Sequence, residues 1–430
     1  MSQRVAILCG VRTPFCKAGG RFANIQADDL GAVVTKDLLA RTGIEPSTID
    51  QVVFGNVAQP AHAANIARVI ALKSGFPHSI SCHTVHRNCA SGMESITSAA
   101  TQILAGRADL ILAGGTESMS NIPLLLGVKM TRLLGKLVKA KTLQQKLGLL
   151  ASVRPSFFKP VIALKLGLTD PVCGLNMGQT AEVLARQFGV TRHQQDAFAL
   201  ISHQRAAEAI KQGVLAQEQV PVVVPPDYAI VQQEDDGPRA SQSLAALEKL
   251  RPFFDRQAGT VTVGNACPVT DGAAAVLVAS EKKANELGIE PLGYLTDWAY
   301  AGLDGSRMGL GPAYATAKVL DQTGLSLDDF DLVELNEAFA AQVIANEEAF
   351  ASADFARAHL GRDQPIGRLD RQRLNVNGGA IALGHPVGAT GTRLVITLLK
   401  QLARANRRRG LATLCVGGGQ GAALVLEVEP

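Results

Sequence analysis

A chain of 430 residues is too long for one small module and calls for several domains or one large composite core. With 47% hydrophobic residues, 19% charged residues and 42 glycines, the composition excludes extended disorder and a collagen-like repeat and points to small, closely packed side chains. The near balance of 42 basic against 38 acidic residues is a weak basis for polyanion binding, and no nucleic-acid partner is expected.

In chain order, Met-Ser-Gln-Arg runs straight into the apolar Val5-Ala6-Ile7-Leu8, which reads as a buried strand rather than a cleaved leader. The apolar period predicts a helix over 28–41 and a strand over 51–54. A helix near 92–105 and the strand Leu110 to Ala113 follow, so the pattern is α/β. Later, a helix near 390–403 and a strand from Leu411 to Val416 echo that pair. Gly43 to Val53 parallels Gly324 to Glu334 at a constant offset of 281, the mark of an internal duplication. Two α/β halves should pack face to face around one shared cleft. Their expected bounds are 1–120, completed by about 251–280, and 281–430, with 121–250 an inserted loop domain carrying helices at 178–188 and 191–212. Seven scattered cysteines argue against a secreted disulfide framework, and no apolar run is long enough to span a bilayer, so a cytoplasmic location is expected.

Four segments carry chemistry. In His86-Arg87-Asn88-Cys89-Ala90-Ser91-Gly92, a cysteine stands just before a helix, whose N-terminus favours a thiolate and offers N–H groups to an oxyanion. A small buried thiol is the plain alternative. Asn375 to Gly391 is dense in glycine, and His385 is its only titratable group, able to take the Cys89 proton or to serve as a structural histidine. Cys415-Val416-Gly417-Gly418-Gly419-Gln420-Gly421 ends a strand in glycines whose N–H groups suit an anion, without the lysine of a phosphate loop. Asn336-Glu337-Ala338-Phe339-Ala340 follows the strand Leu332 to Leu335, with Asn336 holding a polar group in the cleft or capping a helix.

Together and in this order, the four segments resemble the thiolases. Met177-Gly178-Gln179-Thr180-Ala181-Glu182, Leu250-Arg251-Pro252-Phe253-Phe254 and Asp271-Gly272-Ala273-Ala274-Ala275 agree, and the resemblance covers 4–428. It implies a layered α-β-α-β-α core, with Cys89 as acyl-accepting nucleophile, His385 as its activator and Cys415 as the acid/base at the acetyl-CoA α-carbon. It further implies that Asn336 holds a water that forms one oxyanion hole with His385, the N–H groups of Cys89 and Gly417 forming the other. Met177, Arg239, Ser241, Cys267 and Phe339 would face substrate or coenzyme A, which is a co-substrate. No bound cofactor or metal is implied. The reaction implied is thiolysis of 3-ketoacyl-CoA in fatty-acid β-oxidation, or its Claisen reverse, by a homodimer or homotetramer.

Asn176 and Cys267 depart from the short-chain biosynthetic pattern, which has His and Ser there. The stretches 121–175 and 350–372 look more like β-subunits of fatty-acid oxidation complexes, whose His is replaced here by Asn336. An acetoacetyl-CoA thiolase, a ketoacyl synthase and a non-catalytic scaffold are the competing readings. Reading Cys82, His83, His86 and Cys89 as zinc ligands is disfavoured, because one extended segment would have to wrap the ion.

Residues 121–169 hold nine Lys and Arg and no Asp or Glu, leaving 33 basic against 38 acidic residues elsewhere. Leucines recur near helical spacing among these cations, so 128–150 is expected to lie on an anionic membrane surface or an α-subunit with hydratase and dehydrogenase activities, or else to face CoA phosphates or solvent.

Overall fold

The computed structural model describes residues 4–429; Met1 to Gln3, on which the leader reading partly rests, lie outside them. Nine strands form the main path of a mixed sheet. These are Val5–Arg12 (β1), Gln51–Gly55 (β2), Ser81–Val85 (β3), Leu110–Glu117 (β4), Thr270–Ser280 (β5), Gly293–Gly302 (β6), Leu332–Leu335 (β7), Arg409–Val416 (β8) and Gln420–Glu427 (β9). The helices that matter for the site are Ala27–Thr42 (α1), Ser91–Leu104 (α2), Met177–Gln187 (α3), Arg192–Lys211 (α4), Gly311–Thr323 (α5), Ala340–Ala351 (α6) and Val387–Arg404 (α7).

Strand order is β7-β8-β9-β6-β1-β5-β4-β2-β3. The first half therefore runs β3-β2-β4-β5-β1, with β3, β2 and β4 parallel and β5 antiparallel to both β4 and β1. In the second half β7 is parallel to β8, β9 is antiparallel to β8 and β6, and Leu374 makes a parallel bridge at the β7 edge where the first half has β3. The same order is thus built twice, and the copies join through a short antiparallel pairing of Val5–Ile7 with Gly293–Leu295. The repeat extends to turns: Gly43 and Gly324 both close helices at positive φ, and each precedes a single 3-10 turn and a strand. One difference separates the halves. β8 and β9 are joined by the three glycines 417–419, whereas their counterparts β4 and β5 are separated by everything from Ser118 to Val269.

Alternation along the strands explains the layers, because successive side chains point to opposite faces. On β1, Ala6 and Leu8 join a core covered by Leu30, Val34 and Leu38 of α1, while Val5 and Ile7 join a central core. On β8, Ala412, Leu414 and Val416 face that same central core, and Leu411 and Cys415 face a third, covered by α5 and α6. The centre is filled by Met93, Ile96 and Ile103 of α2 and Leu394, Leu398 and Leu402 of α7. The two halves of the sheet enclose one helical layer and are each covered by another, which is the α-β-α-β-α arrangement. Each fully buried Leu or Ile contributes about 2 kcal/mol of desolvation.

Residues 121–250 do not behave as one body. Ile122–Thr169 forms a compact unit of its own, and the rest of the described chain forms the other. Helices α3 and α4 belong to the larger unit, because Ala181, Leu184 and Phe198 are buried in the core that α6 shares. The small unit pairs Leu124–Leu126 with Pro160–Ile162 and carries the helices Val128–Lys139 and Leu143–Ala151. Met130 and Leu133 are buried, whereas Leu134, Val138, Leu143, Leu147 and Leu150 are exposed among its cations.

The central helices approach almost backbone to backbone. A Cβ at Gly115 would overlap the Gly388 carbonyl, and one at Gly92 would meet Thr392 N at 2.6 Å. Neither neighbour is a side chain that can turn away. Gly115→Ala is expected to destabilise the protein by about 3 kcal/mol, the upper end of overpacking costs, read as a lower urea midpoint with unchanged slope; an unaltered midpoint would refute this account of the packing.

Candidate active site

Cys89, Asn336 and Cys415 all lie at or just beyond the carboxyl ends of parallel strands, β3, β7 and β8, where open α/β sheets place their ligands. The turn from β3 into α2 is forced by Asn88 at φ 44, and is stapled by Arg87 N donating to Ser91 Oγ (2.9 Å) and Ser91 Oγ donating to the Asn88 carbonyl (2.7 Å). Asn88 Nδ2 donates to the Gly417 carbonyl at 2.7 Å, which ties the cysteine turn of one half to the glycine turn of the other. The same approach brings the Gly417 N–H to the Cys89 thiol.

The helix-terminus argument favours a thiolate at Cys89, and the structure moves it the other way. Burial pushes the thiol up, the N–H groups of Gly417 and of Cys89 itself offset this in part, and the charge of Glu117 adds to the rise. At rest Cys89 is therefore a thiol that needs a base.

His385 fits that need. It is 7% exposed, and Nδ1 lies 2.6 Å from Thr390 Oγ1. Because the Thr390 hydroxyl donates to the Pro386 carbonyl at 3.0 Å, it is an acceptor toward His385, so the imidazole proton sits on Nδ1. Nε2 is then a bare lone pair, and it has no partner among protein atoms. Burial, helped by the charge of Arg393, lowers the His385 pKa to about 3, so the ring is neutral at working pH.

The loop carrying His385 is held at both ends by buried glutamates that sequence reasoning did not single out. On its first side, Glu337 accepts from Asn375 Nδ2 (2.9 Å), Ser202 Oγ (2.6 Å) and Ile381 N (3.3 Å). Beyond the histidine, Glu117 accepts from Gly388 N at 2.9 Å. Both carboxylates are about 1% exposed, and burial pushes both pKa values up, that of Glu117 to about 7. Glu337 was visible only as part of the Asn-Glu-Ala-Phe motif, and Glu117 only as the last residue of a strand.

Cys415 is 1% exposed at the end of β8, paired opposite Gly421. Burial raises its pKa well above the usual thiol range, with the charges of Cys89 and Cys267 contributing. Burial likewise pushes Cys267 up to about 12, again with a contribution from Cys89, so the three thiols form one cluster. Cys267 N donates to Ala338 O (3.0 Å), and Asn336 N to Thr413 O (3.0 Å), which joins this segment to β8. Asn336 is fully buried, and neither Oδ1 nor Nδ2 has a protein partner, so its amide is free to hold a polar group. Met177 opens α3 under an Asn176 cap, and its Sδ lies 3.2 Å from where a Cβ on Gly417 would stand. Phe339 is buried edge-on to Phe254 at 5.9 Å.

Arg239 and Ser241 are not brought to this cluster by any contact; both are exposed, and Arg239 N donates to His203 Nδ1 at 3.3 Å. Among the described residues no group of three or more His, Cys, Asp or Glu is placed to hold a metal ion.

A doubled five-layer α/β body with a cysteine, a neutral histidine and a second cysteine on turns from both halves defines a class of acyl-transfer enzyme. The Thiolase, N-terminal domain family matches residues 5–282 and the Thiolase, C-terminal domain family matches 289–428, and the chain belongs to the thiolase family. It is 44% identical over 428 residues to a 3-ketoacyl-CoA thiolase of Yersinia enterocolitica, covering 99% of this chain and 97% of that protein. Similar solved structures are an acetyl-CoA acetyltransferase of Bacillus anthracis (TM-score 0.87, 36% identity, 99% of each chain) and human mitochondrial 3-ketoacyl-CoA thiolase in complex with CoA (TM-score 0.85, 34% identity, 100% of this chain and 98% of that one).

The depressed His385 pKa carries a stability consequence. Above pH 6.5 the ring is neutral in both folded and unfolded chains; below it only the unfolded chain takes the proton, so stability falls as pH drops from about 6.5 towards about 3. His385→Asn removes this response. Between pH 7 and pH 4.5 the wild-type protein is expected to lose about 2–3 kcal/mol more unfolding free energy than the variant; equal losses in urea titrations would contradict it.

Proposed function

We propose that the protein is a 3-ketoacyl-CoA thiolase that cleaves 3-ketoacyl-CoA with coenzyme A to acyl-CoA and acetyl-CoA in fatty-acid β-oxidation, and catalyses the Claisen reverse. The observation that carries this reading is the neutral, buried His385 with a free Nε2, in a site where a buried thiol also faces the Gly417 N–H. The 44% identity over nearly the whole length of a bacterial protein named 3-ketoacyl-CoA thiolase supports it over a short-chain biosynthetic role.

In thiolysis, His385 Nε2 takes the Cys89 proton and Sγ adds to the 3-keto carbon. The resulting oxyanion is met by hydrogen-bond donors, each typically worth about 3–4 kcal/mol of barrier. Asn336 with a bound water and the protonated His385 Nε2 supply one set, and the N–H groups of Cys89 and Gly417 the other. Collapse breaks the C2–C3 bond, leaving acyl-Cys89, and the Cys415 thiol protonates the acetyl-CoA carbanion. The Cys415 thiolate then takes the proton of incoming CoA, whose sulfur attacks acyl-Cys89; acyl-CoA leaves and the Cys89 sulfur recovers its proton from His385. Neither the elevated Cys89 nor the elevated Cys415 pKa conflicts with this sequence, because each thiol gives up its proton only as the reaction requires it.

Met177, Cys267 and Phe339 would line the substrate path, and the exposed Arg239 and Ser241 would meet coenzyme A farther from the thiols. We infer further that the enzyme works in the cytoplasm as a homodimer or homotetramer. The exposed leucines and cations of 128–150 support contact with an anionic membrane surface or with an α-subunit carrying hydratase and dehydrogenase activities.

Acetyl-CoA should leave an acetyl group on the peptide containing Cys89 by mass spectrometry, Cys89→Ala should abolish turnover in a folded protein, and Cys415→Ala should still acylate but lose at least a thousandfold in kcat. An unlabelled Cys89 peptide, or full activity in Cys415→Ala, would sink the mechanism. For the surface, vesicles rich in phosphatidylserine should sediment wild-type protein but not a variant with Lys136, Lys139, Lys141 and Lys146 changed to Gln; equal sedimentation removes the membrane reading.

A further inference from the structure

Glu117 is a charged group inside the protein with an unusual set of neighbours. Its two oxygens accept only from N–H groups: Asn56 Nδ2 at 3.1 Å and Ala58 N at 2.9 Å on Oε1, Val57 N at 3.1 Å and Gly388 N at 2.9 Å on Oε2. Three donors follow β2 in the first half, and the fourth belongs to the His385 loop of the second. Four donors and no acceptor suit a carboxylate and not a carboxylic acid or an amide, since either would turn a hydrogen toward an N–H. Gly388 lies in the same turn as Thr390, whose hydroxyl fixes the His385 tautomer. No other side-chain oxygen accepts from Gly388 N, and the Gly388 backbone is already pressed against Thr116 and Gly115.

We infer that Glu117 is a positioning residue of the thiolase reaction, one that locks the His385–Thr390 turn of one half onto the turn after β2 of the other and so aims Nε2 at Cys89. The inference rests on the proposed role of His385. Ionised Glu117 holds the turn; protonated Glu117 releases at least one of the four N–H groups. Its elevated pKa, about 7, brings that change into the working range.

Two other carboxylates near this turn also have raised pKa values, Asp271 beside Glu117 and Glu337 on the far side of the His385 loop, and the Glu117→Gln variant separates them from Glu117. Across β5, Gly272 stands opposite it and Asp271 beside it, with the Asp271 carboxylate occupied by Ser120 N and Oγ. On the α7 side His385 stays neutral to about pH 3, and on the α2 side Cys89 titrates above the usual thiol range. The residues after β2, Asn56 to Ala58, do not titrate. An acid limb in turnover that is lost in Glu117→Gln, with Asp271 and Glu337 intact, belongs to Glu117.

The test is made on the full-length enzyme with 3-ketooctanoyl-CoA and CoA. Wild-type turnover and an acylated Cys89 establish the underlying reading independently of any Glu117 variant. Glu117→Gln is expected to lower kcat ten- to a hundredfold, to keep KM for both substrates within about threefold, and to abolish the wild-type acid limb near pH 7. Wild-type kcat in this variant, or a lowered kcat with the acid limb unmoved, overturns the inference. Should Glu117→Gln show no cooperative unfolding transition, Asn56→Ala removes one donor to the carboxylate while leaving the other three. It should lower kcat less and move the acid limb to higher pH, because a lost donor disfavours the ionised form; a limb at the wild-type position overturns the inference.

Discussion

The constraint on which this structure depends is the near-contact of two backbones at its centre. α2 and α7 cross where Gly92 and Gly391 each meet a backbone nitrogen of the other helix, and the end of β4 meets the start of α7 through Gly115 and Gly388. Only that closeness lets a turn from each half reach a common point. Any methyl group there would lever the halves apart by more than a hydrogen bond can span, and the Asn88 bond to Gly417 and the Glu117 bond to Gly388 would go with it.

Duplication explains why the site is assembled as it is. Helix α2 begins two residues after Cys89 and its counterpart α7 begins two residues after His385, so the nucleophile and its base both stand at the entries of the two central helices. Cys415 ends β8 where Thr116 stands near the end of β4. The entry to the central helix thus carries a cysteine in one copy and a histidine in the other. The nucleophile Cys89 comes from one copy, and His385 and Cys415 come from the other, so the full set meets only at their junction.

Much of this was legible in the residues. Apolar runs such as Val5 to Leu8 and Leu110 to Ala113 marked strands because burial on both faces leaves no room for polar alternation, and the offset of 281 exposed the repeat through its capping glycines. Cys89, His385, Cys415 and Asn336 could be singled out by their glycine-rich or helix-opening settings. What could not be read was environment. The helix terminus at Cys89 promised a thiolate, but desolvation outweighs it, and that balance depends on residues far apart in the chain. The tautomer of His385 hangs on a threonine hydroxyl whose own donor bond must be seen, and Glu117 looks like any polar strand end until Gly388 is placed against it. The separation of Ile122–Thr169 from α3 and α4 was likewise hidden, because proline content marks a break in pattern and not the core that each helix joins.

The contrast between a three-glycine turn in one half and a long insertion in the other also sets an order of events during folding. The hairpin of β8 and β9 closes locally and fast, whereas β4 can pair with β5 only after the intervening chain has been drawn into a loop. Glu117 lies at the tip of that late pairing, opposite Gly272. The strut from Glu117 to the His385 loop is therefore made at the end of a long and costly loop closure, while the glycine turn that faces Cys89 rests on the cheapest in the sheet.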